Sequence, residues 1–138
     1  MKRSQALVPL GHDHHRALEA ALRLRRATAE TLAEDLSYFR EFWVGHAQRR
    51  HFEIEEELLL PAITGDEGWD AMAERVRREH GQIREWADTA ASVDHAHALG
   101  ALLNDHVRFE ERELFELLES RLEPDELAHL GRRIEAAR

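Results

Sequence analysis

The sequence predicts an all-α fold, an up-and-down antiparallel four-helix bundle with a short C-terminal helix, and three observations carry that expectation. Of 138 residues 34% are charged, only 7 are Gly and 3 are Pro, and Ala, Leu, Glu and Arg dominate. This mixture suits long helices and leaves little turn chemistry for a strand-rich fold. Apolar residues recur at helical spacing, with no run of alternating β-branched residues. The breaks between the periodic stretches are short, which makes successive helices antiparallel neighbours. The length is that of one ordinary domain, so residues 1–138 read as a single unit.

The first helix is expected from about Pro9–His12 to Ala29, with Leu10, His14, Ala17, Ala21 and Leu24 on one stripe. Thr31 followed by Glu34 is a capping-box pattern that starts a second helix. That helix carries Leu36, Phe39, Phe42 and Trp43 and ends in the run Leu58-Leu59-Leu60 before Pro61. Gly65-Asp66-Glu67-Gly68 reads as a loop. A third helix follows from about Trp69, with Met72, Val76, His80, Ile83 and Ala87 on one stripe. Ala91-Ser92-Val93-Asp94 marks the next connection. The fourth helix then runs to about Leu122 through Leu99, Leu103, His106, Glu110 and Leu117. Pro124 opens the tail helix, since proline is tolerated in a first turn.

Composition excludes several classes of function. A formal charge of −9 disfavours non-specific attraction to nucleic acid or an anionic membrane. Short basic pieces such as Arg23-Arg25-Arg26 read as solvated helix faces. Cysteine is absent, which removes disulfides, thiolate zinc sites and iron–sulfur clusters. No apolar stretch approaches the roughly 20 residues that span a bilayer. The opening Met-Lys-Arg-Ser-Gln-Ala-Leu-Val-Pro-Leu lacks a long apolar segment, so a cytoplasmic protein is expected.

Against that background, ten histidines stand out. Helix propensity gives no reason to load a helical chain with them. Two segments, His51-Phe-Glu-Ile-Glu55-Glu56-Glu57-Leu58-Leu59-Leu60 and His106-Val-Arg-Phe-Glu110-Glu111-Arg112-Glu113-Leu114-Phe115, align histidine on histidine. They share apolar residues at +1 and +3, Glu at +4 and +5, Leu at +8 and an apolar residue at +9. On a helix, i and i+4 lie on one face about 6 Å apart, so each His/Glu pair can point into a bundle interior. Imidazole and carboxylate together bind divalent metals. A third His-x-x-x-Glu pair, His15 and Glu19, lacks the shared surroundings.

Each of these segments is preceded by an acidic residue followed by histidine, Asp13-His14 in one half and Glu79-His80 in the other. Two similar halves then offer four imidazoles and two carboxylates to a common centre, a set suited to two metals bridged by the carboxylates. Such pairs typically sit roughly 3.5–4 Å apart. Within His12-Asp13-His14-His15, His14 is preferred because it repeats the acidic-His order and lies on the Leu10/Ala17/Ala21 stripe; His12 and His15 remain alternatives. Glu56 and Glu111, one residue past each pair, are rotated about 100° away, toward a neighbouring helix or solvent. His46, His95, His97 and His129 read as structural or exposed, with a supporting role for His95 open. Phe42, Trp43, Trp86 and Phe109 read as core.

The order lone His, His-Phe-x-x-Glu-Glu-x-x-Leu-Leu-Pro, Glu-His, His-x-x-x-Glu-Glu resembles the hemerythrin-like, or HHE cation-binding, domains from about Leu10 to Phe115. The resemblance implies a di-iron centre ligated by His14, His51, Glu55, His80, His106 and Glu110, with two irons bridged by carboxylate and oxo groups. It implies roles in binding or sensing dioxygen or nitric oxide, in iron handling, or in nitrosative-stress defence. The chain departs from the oxygen-carrying hemerythrins at two places. Arg84 stands where they have a second histidine one turn along helix three. Glu111, after Glu110, stands where they have aspartate. Reversible oxygen carriage is therefore not the expected role.

A binding or sensing domain for a small diatomic ligand is the leading expectation. The alternatives are a di-iron peroxidase, nitric-oxide reductase or iron-donating repair protein, and a mononuclear or zinc-loaded structural bundle. Ferritin-like oxidases match less well, because their Glu-x-x-His quartet is absent. No redox or regulatory domain is read in the sequence, so any output is expected to need a protein partner.

Overall fold

The structure, a computed structural model, describes residues 3–45 and 48–138. It consists of helices α1 (Val8–Arg25), α2 (Leu32–Gly45), α3 (Gln48–Ile54), α4 (Glu67–Thr89), α5 (Val93–Phe109), α6 (Phe115–Arg121) and α7 (Pro124–Ala137), with no strand among the described residues. The all-α bundle expected from composition and period is what the chain forms. No helix is long and apolar enough to cross a membrane, again among the described residues.

Local chemistry sets the helix ends. Gly65 adopts φ 94°, a left-handed conformation that favours glycine, and delivers the chain to Asp66. The Asp66 side chain accepts from the Gly68 and Trp69 amides at 2.8 and 3.2 Å, so α4 begins inside the expected loop, ahead of Trp69. Ser92 caps α5 through the His95 amide. At α7 Glu123 and Glu126 form a reciprocal capping box with Pro124 in the first turn. The first helix stops at Arg25, short of the expected Ala29, and the chain turns through a reciprocal pair. Thr31 Oγ1 takes the Thr28 amide at 2.9 Å while Thr28 Oγ1 takes the Thr31 amide at 3.3 Å.

Two apolar clusters fill the interior. One joins Ala17, Ala21 and Leu24 of α1 to Phe39 and Trp43 of α2, Phe52 of α3, Ile83 of α4 and Leu99, Leu103 and Val107 of α5. The other joins Leu7, Leu10, Ile54, Leu59, Leu60, Val76, Phe109, Leu114, Phe115 and Leu118 to Leu130 and Ile134 of α7. Small residues bring α1 and α5 into close approach. A Cβ on Gly100 would lie 2.8 Å from the Ala21 carbonyl oxygen and 2.9 Å from the Arg25 amide nitrogen.

Each polar residue of interest falls where the chain passes from one cluster to the other. His14 lies between Leu10 and Ala17, His80 between Val76 and Ile83, and His106 between Leu103 and Phe109. The helices also change pitch there. Glu55–Leu59 and Glu110–Leu114 are π-helical turns, with Leu60 N–H bonded to Glu55 O and Phe115 N–H to Glu110 O. A π turn inserts a residue into the helical phase and is frequent at functional sites. Here it buries the adjacent pairs Leu59/Leu60 and Leu114/Phe115 while the glutamates point inward.

Candidate metal centre

Six side chains meet in the layer between the clusters: His14 from α1, His51 from α3, His80 from α4, His106 from α5, and Glu55 and Glu110 from the two π turns. All six are buried, with relative exposures of 0–1%. They form two overlapping donor groups, one of His14, His51, Glu55 and Glu110, the other of His80, His106, Glu55 and Glu110.

The two carboxylates are divided between the groups. Glu55 Oε2 lies 3.0 Å from His51 Nε2 and 3.7 Å from His14 Nε2, while its Oε1 lies 3.1 Å from His80 Nε2. Glu110 Oε1 lies 2.9 Å from His14 Nε2, and its Oε2 lies 3.1 Å from His106 Nε2 and 3.5 Å from His80 Nε2. Each carboxylate therefore gives one oxygen to each pair of imidazoles.

The outward ring nitrogens are held by a second set of carboxylates. His51 Nδ1 donates to Asp13 Oδ2 at 2.9 Å and His106 Nδ1 to Glu79 Oε1 at 2.8 Å. His80 Nδ1 donates to Glu56 Oε2 at 2.6 Å and His14 Nδ1 to Glu111 Oε2 at 3.1 Å. The pairing follows the two-half pattern of the sequence. The acidic residue before each lone histidine holds the histidine of the same half, and the second glutamate of each Glu-Glu holds the lone histidine of the other half. An imidazole that donates through Nδ1 presents a lone pair at Nε2, which suits it to hold a metal in a fixed tautomer.

Rings and arginines complete the surroundings. Phe52 stacks on His80 with centroids 3.8 Å apart and planes 3° from parallel, and Phe115 stacks on His14 at 5.1 Å. Arg84 grips Glu56, Arg75 reaches Glu79 at 3.1 Å, and Arg138 reaches Asp13 at 2.7 Å.

The geometry fits cations. His14 Nε2 and His51 Nε2 face each other at 3.1 Å, two lone pairs that repel unless positive charge lies between them. Both oxygens of Glu55 and of Glu110, together with His80 Nε2 and His106 Nε2, are buried with no hydrogen-bond partner among the described residues. Orphaned polar atoms of this kind are costly without a counterion. In the metal-free state protons answer the same need. Burial works to lower the His80 pKa, but the facing carboxylates of Glu110, Glu55 and Glu56 outweigh it and push it up to about 10. His14 is raised well above 6.5 against its own burial by the facing carboxylates of Glu110, Glu111 and Glu55. Burial and Glu110 act to raise Glu55, yet the His51 and His14 imidazoles facing it lower it to about 2.

All six residues singled out in the sequence come together here. His12 and His15 are exposed on α1 and take no part. His95 and His129 are exposed, so His95 has no supporting role, and His97 donates to the Ala27 carbonyl at 2.8 Å. His46 lies outside the described residues. Phe42, Trp43 and Phe109 are core as expected, while Trp86 is half-buried. Sequence reasoning turned Glu56 and Glu111 toward a neighbouring helix or solvent and used Asp13 and Glu79 only as markers of the repeat, and it gave none of the four a contact with a histidine. Their signal was present, because each is the chain neighbour of a candidate ligand.

Neither the curated proteins nor the solved structures contain a match to this chain. A family model does match, over residues 7–118, most of the chain and the whole of the site. With its buried His/Glu centre, the chain belongs to the hemerythrin HHE cation-binding domain family.

Proposed function

We propose that this domain holds two irons, one in each donor group, bridged by Glu55 and Glu110, and that it binds or senses a small diatomic ligand, dioxygen or nitric oxide. The observation that carries the reading is the division of both carboxylates between the two histidine pairs. One metal would leave either two or four of the six orphaned atoms unanswered, depending on which donor group it filled.

Each position receives two imidazole nitrogens and two carboxylate oxygens from the chain. Four protein donors leave room at an iron for an exogenous ligand. When bound, the metals would supply Lewis-acid and redox chemistry. The chain's own residues fix the imidazole tautomers, exclude bulk water through the two apolar clusters, and bring the donors together before the metal arrives. The same donors suit zinc, which binds more tightly than Fe(II) on intrinsic affinity, so metal content is the deciding measurement. On this proposal the domain is cytoplasmic and passes its state to a protein partner.

The test is elemental analysis, with an absorption spectrum, of protein purified from iron-supplied cells. Two irons per chain with the near-ultraviolet absorption of a bridged ferric pair are expected. A ratio near one, or zinc alone after iron-replete growth, overturns the reading.

A further inference from the structure

We infer that the two metal positions are unequal: the His80/His106 position is the tight one, filled first, and the His14/His51 position is the labile one. The inference rests on the two-metal reading above and concerns how this chain's own residues hold the ligands.

Both supporting carboxylates of the His80/His106 position are clamped by arginines of α4, the helix that carries His80. Arg84, one turn after His80, binds Glu56 through both guanidinium nitrogens at 2.9 and 3.2 Å. Arg75, one turn before Glu79, binds it at 3.1 Å. The two arginine clamps of this position thus lie on one continuous helix of the bundle. Phe52, stacked on His80 at 3.8 Å, adds a flat wall that restricts ring rotation.

The other position is supported differently. Asp13, which holds His51, is clamped by Arg138, at the far end of α7, with contacts at 2.7 and 3.4 Å. That clamp lasts only while α7 stays seated. Glu111, which holds His14, is the most exposed of the four carboxylates, at 31% against 26% for Glu56, 14% for Glu79 and 10% for Asp13. Arg3 lies beside it but donates to the Glu111 backbone carbonyl at 3.1 Å and pairs with Glu119 at 2.7 Å. Among the described residues no arginine hydrogen-bonds the Glu111 carboxylate. The His14···Glu111 bond, at 3.1 Å, is also the longest of the four.

A ligand whose outer hydrogen bond is loose has a less fixed ring and a less basic Nε2, and losing such a support typically lowers metal affinity about 10–100-fold. The difference between the positions therefore begins at His14. It predicts a half-loaded protein with its metal between His80 and His106.

The experiment titrates the metal-free chain with Co(II), following heat and the paramagnetically shifted proton signals of the ligand imidazoles. Two binding steps at least about tenfold apart are expected. Exchangeable Nδ1–H signals of two histidines should appear by one equivalent, and those of the other two only beyond it. Arg84→Gln should weaken the first step about tenfold and perturb its signals, with part of the loss restored in Arg84→Lys, whereas Glu111→Gln should weaken only the second. Circular dichroism confirms that each variant folds. A single step of two equivalents, with four signals growing together, overturns the inequality and leaves the two-metal reading standing. So does a first step weakened by Glu111→Gln and untouched by Arg84→Gln. Uptake that never exceeds one equivalent in the unmodified chain overturns both.

Discussion

Arg84 binds Glu56 as a fork, Nη1 to Oε2 at 2.9 Å and Nη2 to Oε1 at 3.2 Å, and the same Oε2 takes the His80 Nδ1 proton at 2.6 Å. A bidentate guanidinium–carboxylate pair has fixed geometry as well as charge. Arg84 therefore serves the centre through two intermediaries and is directed away from the donor groups. The place one turn beyond His80 contributes no fifth imidazole.

That arrangement predicts how the reduced, iron-loaded protein meets oxygen. With only two imidazoles at each position, oxidation should be fast and should not reverse when oxygen is removed. Stopped-flow mixing of the reduced protein with oxygen, followed by degassing, checks this. A visible band that persists under oxygen and vanishes on its removal would show reversible carriage and defeat the expectation. Mixing with nitric oxide then tests the other diatomic ligand.

Replacing His51 or His106 by Ala should lower bound metal sharply, since each removes a buried imidazole and leaves its carboxylate partner unpaired in the core. His129→Ala, on the exposed face of α7, should keep full occupancy. Elemental analysis of the three purified variants decides. Equal retention in all three would remove His51 and His106 from the centre.

The metal-free protein should have a stability optimum on the acidic side of neutrality. His80 is raised from 6.5 to about 10, so its contribution is complete below 6.5 and is lost as pH rises toward 10; His14, His51 and His106 shift the same way. Glu55 is lowered from 4.5 to about 2, so its contribution is present above 4.5 and is lost as pH falls toward 2. Metal binding displaces the imidazole protons, so the loaded protein should keep its stability further into the alkaline range. Denaturant midpoints across pH, with and without metal, test this. A metal-free midpoint that rises between 6.5 and 10 would contradict it.

Gly100→Ala should destabilise the bundle by about 1–3 kcal/mol, because the added Cβ meets backbone atoms of α1 that no rotamer change can move. Gly81→Ala is the control. Its Cβ would meet nothing within 4 Å, so alanine should stabilise α4 by up to about 1 kcal/mol. Urea unfolding of both variants measures the contrast, and a loss of stability in both would place the cause outside the α1–α5 contact.

The sequence by itself determined the helical content, the His-x-x-x-Glu faces and the two-half repeat, because these depend on local propensity and on the fixed i, i+4 geometry of a helix. The aligned segments at His51 and His106 needed no knowledge of neighbouring helices to be recognised as inward-facing pairs. Tertiary structure alone decided that His14 is buried while His12 and His15 are exposed. It also decided that Glu56 reaches His80 and Glu111 reaches His14 across helices, and that Glu55 and Glu110 each divide their oxygens between two imidazole pairs. The π turns at Glu55 and Glu110, which a strict 3.6-residue period passes over, belong to the same class. These features depend on how each helix is rotated and seated against the next. That is set by long-range packing, such as the approach of Gly100 to Ala21, and no spacing along a single helix records it.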